Sequence, residues 1–161
     1  IKWTHPIYGT YKLNTDGAYN INTNCAGIGG VIRNSNGDWV IGYWKYSYAI
    51  NHTYMEILAL QQGLQLAIMH TLRPIEIEID STEILQLIEH CTPIYQTLID
   101  SCRCLLKKLG NPVGRHSFRE ANSVAHFLAK EGSKQTRCNN LSVFWQPPAT
   151  ICNSLQADKE A

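Results

Sequence analysis

The sequence predicts an α/β domain built on a mixed sheet, and three observations carry that prediction. Two strand-like runs, 26–33 and 39–46, flank Asn36-Gly37, the strongest short-range hairpin signal a sequence offers. Ile75-Glu76-Ile77-Glu78-Ile79-Asp80 alternates at the strand period, after a segment whose apolar residues recur at the helix period. Strand and helix patterns keep alternating from there, which adds parallel strands to an antiparallel meander and places helices on the sheet's faces.

Residues 1–10 read as an irregular lead-in punctuated by Pro6 and Gly9. Lys12-Leu13-Asn14-Thr15-Asp16-Gly17-Ala18 reads as the first strand, with Leu13 and Thr15 on one face and Lys12, Asn14 and Asp16 on the other. An asparagine-rich loop leads into the second strand, whose glycines imply a bulge or a closely packed neighbour. The third strand returns antiparallel. Residues 53–70 carry Ile57, Leu60, Leu64, Ala67 and Ile68 on one helical face, with Asn51 or Thr53 as the N-cap. In the fourth strand the isoleucines face a core and the acids face outward. Ser81 begins a short helix, and Thr92-Pro93 opens a longer one striped by Ile94, Leu98, Cys102, Leu105 and Leu109 that stops at Gly110. A weak strand over 115–119 precedes a last helix over about 122–131. Residues 11–132 then form the domain, and the polar stretch 133–161 with Pro147-Pro148 is a tail packed on it or partly disordered.

At 161 residues and 44% hydrophobic content, the chain fits one domain with a real core. Fourteen Lys and Arg against 13 Asp and Glu leave a formal charge of +1, so no concentrated basic surface is advertised to nucleic acid. No apolar run is long enough for a membrane helix and no signal-peptide pattern opens the chain. The six cysteines lack paired spacing; they read as reduced thiols of a cytoplasmic or nuclear protein. Asn51-His52-Thr53 and Asn140-Leu141-Ser142 match the glycosylation pattern by coincidence in such a compartment. The opening Ile1-Lys2-Trp3, without Met, reads as part of something longer, such as a parent polyprotein. Tyr43, Trp44, Tyr46 and Tyr48 are aromatic enough to stack on bases, but in a strand they read first as core or cross-strand residues.

Three acids stand on separate elements: Asp16 on the first strand, Glu56 in the first turn of the first long helix, and Asp80 at the end of the fourth strand. Parallel first and fourth strands would bring Asp16 and Asp80 together at their carboxyl ends, where open α/β sheets place their sites. Clustered carboxylates repel one another unless a divalent cation lies among them, which points to phosphoryl chemistry.

Five strings occur in order: Leu13-Asn14-Thr15-Asp16-Gly17-Ala18; Gly29-Gly30-Val31-Ile32-Arg33; Glu56 with Leu58-Ala59-Leu60 and Gly63-Leu64; Glu78-Ile79-Asp80-Ser81; and Phe118-Arg119-Glu120-Ala121-Asn122-Ser123-Val124-Ala125. Together they resemble the ribonuclease H family, in its plant, reverse-transcriptase-associated branch of LINE-type retroelements. The resemblance implies a ribonuclease H-like fold: a five-stranded mixed sheet, three antiparallel strands then parallel ones, flanked by helices. It implies hydrolysis of the RNA strand of RNA–DNA hybrids with two Mg²⁺ or Mn²⁺ ions about 4 Å apart. By position, Asp16, Glu56 and Asp80 match the family's first three acids. Asn22, His52, Thr53, Thr82 and Asn122 match polar residues that grip the hybrid near its 2′-hydroxyls.

The family's fourth acid sits in an Ala-Asp-x-Leu-Ala context, which here reads Ala125-His126-Phe127-Leu128-Ala129. His126 therefore stands where an aspartate is expected. Magnesium prefers oxygen ligands, so the second ion suffers most and manganese is favoured. His116, ten residues earlier, matches a loop histidine of cellular members but lies in a strand-like neighbourhood, and reads as a sheet residue. A weakened enzyme is thus the leading reading. The alternatives are a degenerate module of the same fold binding nucleic acid or a protein partner, and, less closely, an integrase- or resolvase-type nuclease.

Overall fold

The computed structural model describes residues 1–48, 50–90, 92–136 and 140–161. Strand β1 (Tyr11–Asn20) lies at the heart of the sheet. It pairs antiparallel with β2 (Cys25–Arg33), which pairs antiparallel with β3 (Trp39–Tyr48). The β2–β3 turn forms as its asparagine and glycine require. Gly37 takes φ 81°, and the Asn34 side chain accepts from the backbone N–H groups of Asn36 and Asp38. Helix α1 (His52–Met69) follows, and Asn51, not Thr53, is its N-cap, accepting from Tyr54 N–H at 2.7 Å. Strand β4 (Ile75–Ile79) then runs parallel to β1 on its free side, and β5 (Gly114–His116) parallel to β4. Between β4 and β5 lie α2 (Thr82–Glu89), N-capped by Ser81, and α3 (Gln96–Lys108). Helix α4 (Ser123–Ser133) follows β5.

Among the described residues the sheet has six strands rather than five, in the order β5-β4-β1-β2-β3-β6. The additional strand, β6 (Ser142–Phe144), pairs antiparallel with β3. It comes from the polar tail, which also supplies α5 (Cys152–Lys159). Among the described residues no helix is long and apolar enough to cross a membrane.

Two cores flank the sheet. The larger lies under α1, α2 and α3 and joins Leu13, Ile28, Ile41, Leu60, Leu64, Ile77 and Ile99. The smaller joins Val31 to Val124 and Leu128 of α4 and to Ile151. Helix α4 comes this close because β2 offers no side chain beneath it: a Cβ on Gly29 would strike Ala129 N and the Leu128 backbone. The glycines of β2 therefore mark close packing, and a register shift also falls at Ile32/Arg33.

Three local readings change. The fourth-strand acids do not all face solvent, because Glu78 is buried and pairs with Lys12 at 2.9 Å. The irregular lead-in covers that face: Trp3 is buried and donates to Asn14, beneath an Arg33 guanidinium that also pairs with Asp158 of α5 at 2.7 Å. Proline 93 opens a 3₁₀ turn (Pro93–Tyr95), so α3 starts at Gln96 and leaves Ile94 exposed while Ile99 is buried. Finally, β5 ends at His116, and Arg119 falls in a 3₁₀ turn (Arg119–Asn122) leading into α4. His116 is indeed a sheet residue, opposite Ile79. Tyr43 and Tyr46 are buried, whereas Tyr48 is exposed. Cys25, Cys102, Cys104 and Cys152 are free thiols; Cys91 and Cys138 lie outside the described residues.

Candidate active site

The site sits where β1 outruns its parallel neighbour. The β1–β4 ladder ends with Thr15 opposite Ile79, so the next pair, Asp16 and Asp80, stands side by side as β4 ends. Glu56 arrives from α1, on the other face of the sheet. It can do so because β1 carries glycine at 17, where a Cβ would lie 2.8 Å from Glu56 N. The three carboxylates each offer an oxygen within 4.8 Å of the other two.

Their environments differ. Asp16 is fully buried; its Oδ1 accepts from Gly17 N–H at 3.0 Å and its Oδ2 meets His126 Nδ1 at 2.8 Å. Burial pushes its pKa up, but the hydrogen bond from His126 and the neighbouring Glu56 carboxyl outweigh this and hold it below the usual carboxylate value. Glu56 is 2% exposed, and among the described residues neither of its oxygens has a hydrogen-bond partner. The imidazole Nε2 of His52 lies 3.4 Å from Oε1, without hydrogen-bond geometry. Burial first, and the charge of Asp16 second, push the Glu56 carboxyl up to about 11. Asp80 is raised as well, by burial and by Asp16, with Arg119 opposing.

A hydrogen-bonded chain closes over this cluster. Arg119 Nε lies 2.9 Å from Asp80 Oδ2, and its Nη1 lies 3.3 Å from His126 Nε2. A guanidinium only donates, so His126 accepts through Nε2 and donates through Nδ1 to Asp16. The fourth position is thus occupied by an imidazole that spans Asp16 and Arg119.

The donor set suits a hard divalent cation. Three carboxylates converge, and among the described residues the buried Glu56 has two oxygens with no partner, an arrangement that is costly unless a positive charge completes it. Of the expected nucleic-acid contacts, only His52 lines the cleft beside the acids. Asn22 sits on the exposed β1–β2 turn, Thr53 Oγ1 donates to Glu83, and Thr82 is exposed at the start of α2. Asn122 is fully buried and does not cap α4 through its side chain; its amide donates to the Thr15 carbonyl at 3.0 Å and so ties α4 to β1. Sequence reasoning missed Arg119 as a site residue, although it lies in the Phe118-Arg119-Glu120 string, because the expected strand left it no reason to turn toward Asp80.

The model of the reverse transcriptase-like family matches residues 14–132, which span all three acids and His126. The chain belongs to that family. An Arabidopsis thaliana protein named as a ribonuclease H protein is 31% identical over 134 residues, covering 80% of this chain and 21% of that protein. The chain therefore spans about a fifth of the length of that curated relative. Among solved structures, LC11 ribonuclease H1 in complex with an RNA/DNA hybrid superposes with a TM-score of 0.72 at 22% identity, covering 80% of this chain and all of that one. The ribonuclease H1 of the halophilic archaeon Halobacterium salinarum also gives 0.72, at 23% identity over 78% of this chain and 98% of that one. A foamy viral protease–reverse transcriptase solved with RNA/DNA hybrid gives 0.61 at 15% identity, over 77% of this chain and 20% of that one. This reverse transcriptase-like chain has the ribonuclease H fold.

Proposed function

We propose that this chain hydrolyses the RNA strand of RNA–DNA hybrids with the help of Mg²⁺ or Mn²⁺, as an element of a longer retroelement-derived protein in the cytoplasm or nucleus. One observation carries the reading. Among the described residues, Glu56 is buried without a hydrogen-bond partner between two further carboxylates, at the crevice where β1 outruns β4. Asp16, Glu56 and Asp80 would hold the cation. Such an ion, when bound, acts as a Lewis acid on a phosphoryl oxygen and lowers the pKa of a bound water.

The chain's own residues set the terms. Asn122 and Gly17 fix β1 against α4 and α1, which keeps Asp16 and Glu56 in register. The imidazole of His126 takes one oxygen of Asp16, and Arg119 takes one of Asp80. Each of these contacts competes with a cation for the same lone pairs. A site with three carboxylates and an imidazole is also less negative than one with four carboxylates, which favours a single well-held ion and favours manganese over magnesium. His52 stands beside Glu56, with Asn22, Thr53 and Thr82 as outlying contacts to a hybrid, while Asn122 serves as a positioning residue.

The second reading, a degenerate module that binds a hybrid or a protein partner without cutting, is favoured by the same two contacts of His126 and Arg119. Cleavage of an end-labelled hybrid in magnesium and in manganese separates the two. Manganese-dependent cutting that disappears in Asp16→Asn supports the enzyme. Silence that His126→Asp converts into cleavage supports the binding module.

A further inference from the structure

The net charge of +1 conceals a local separation of charge beside the acids. A cleft of about 650 Å³ opens between the end of β1 with its turn to β2 and the exposed side of α4. Asn20 and Thr23 stand on one wall, and Arg119, His126, Lys130 and Lys134 on the other. Among the described residues, no carboxylate side chain lines it, although three converge just beyond its end.

His126, Lys130 and Lys134 recur every four residues along α4 and onto its C-cap, Lys134, so they form one stripe with a step of about 6 Å. The stripe starts at the residue that touches Asp16 and runs about 12 Å away from it, a length over which one nucleic-acid strand carries about three phosphates. Lys130 is exposed and makes no ion pair with the described residues. Lys134 is 65% exposed and meets Glu131 at 3.1 Å. An exposed pair of that kind contributes at most about 1 kcal/mol and yields readily to a phosphate.

We infer that Lys130 and Lys134 form a phosphate track that holds the sugar–phosphate backbone adjoining the phosphate delivered to Asp16, Glu56 and Asp80. This inference rests on the nucleic-acid reading of the site and supplies what the overall charge denies it: a short, directional electrostatic surface. Lysine serves this task well, as a flexible point charge that follows a backbone without reading bases.

The test is the salt dependence of binding. Affinity for a fluorescent RNA–DNA hybrid is measured by anisotropy in calcium, with strand integrity checked afterwards, for wild type, Lys130→Ala/Lys134→Ala and a remote pair on α3, Lys107→Ala/Lys108→Ala. With about 0.9 counterions released per phosphate contact, the α4 pair should make the slope of log K against log salt shallower by about 1.8. That corresponds to a loss of about 60-fold at 0.1 M salt, shrinking toward 1 M. The α3 pair should leave the slope unchanged. A wild type that binds with a steep slope, alongside an α4 variant with the same slope, overturns the track and leaves the hydrolase reading standing. A wild type that does not bind the hybrid at all overturns both. All variants replace exposed lysines, so equal melting temperatures exclude loss of fold as the cause.

Discussion

Replacing Glu56 by glutamine should stabilise the metal-free protein and remove its affinity for divalent cations. The side chain is 2% exposed, with both oxygens unpartnered among the described residues, and its carboxyl is pushed up to about 11 from an ordinary 4.5. Between those two values the folded chain binds a proton that the unfolded chain does not. The group's favourable contribution to folding is therefore complete below pH 4.5 and is lost progressively as the pH rises toward 11. Glutamine keeps the shape, does not ionise, and offers an amide hydrogen toward Asp16. Leaving a buried polar group unsatisfied costs about 1–3 kcal/mol. At about 2–4 °C per kcal/mol for a chain of this size, the variant should melt about 2–12 °C above wild type in EDTA at neutral pH. The gap should widen from pH 5 to pH 9. Adding manganese should raise the melting temperature of wild type and leave the variant where it was. A thermal scan over pH, with and without manganese, measures all of this. A Glu56→Gln protein that melts at or below wild type in EDTA, or gains as much from manganese, would refute the reasoning.

Other outcomes follow from the same contacts. Arg119→Gln releases Asp80 from an exposed guanidinium, a pair of the class worth about 0.2–1 kcal/mol, so manganese affinity should rise about 1.5- to 5-fold by titration; a fall would mean that Arg119 helps hold the ion. Asp158→Ala leaves the buried Arg33 guanidinium without its 2.7 Å partner. Removing one member of a buried pair costs about 3–5 kcal/mol, so melting should fall by about 6–20 °C, and a drop of under 2 °C in a circular-dichroism melt would show that α5 does not secure the sheet.

The sheet was legible because its rules are local. Alternation in 75–80, the Asn36-Gly37 turn and the split faces of β1 each read correctly from neighbouring residues. The acids were legible for the same reason, since strand ends are visible and parallel pairing then sets Asp16 beside Asp80. What the sequence hid depends on distant partners. Glu78 alternates like a solvent-facing acid, but the lead-in and Lys12 cover it from 66 residues away. Strand β6 is three residues in a polar stretch, and its strand character comes from the open edge of β3. Arg119 turns toward Asp80 only because a 3₁₀ turn replaces the expected strand. The spacing of His126, Lys130 and Lys134 was present in the sequence, yet the nearly balanced total charge masked it.

The most direct measurement is calorimetric titration of the wild-type chain with manganese, beside Asp16→Asn, Glu56→Gln and His126→Asp. One ion should bind wild type firmly, none should bind Asp16→Asn or Glu56→Gln, and His126→Asp should gain a second. Wild type that takes up no manganese, or that binds it equally well after Asp16 or Glu56 is neutralised, would contradict the claim that these three carboxylates form a metal centre.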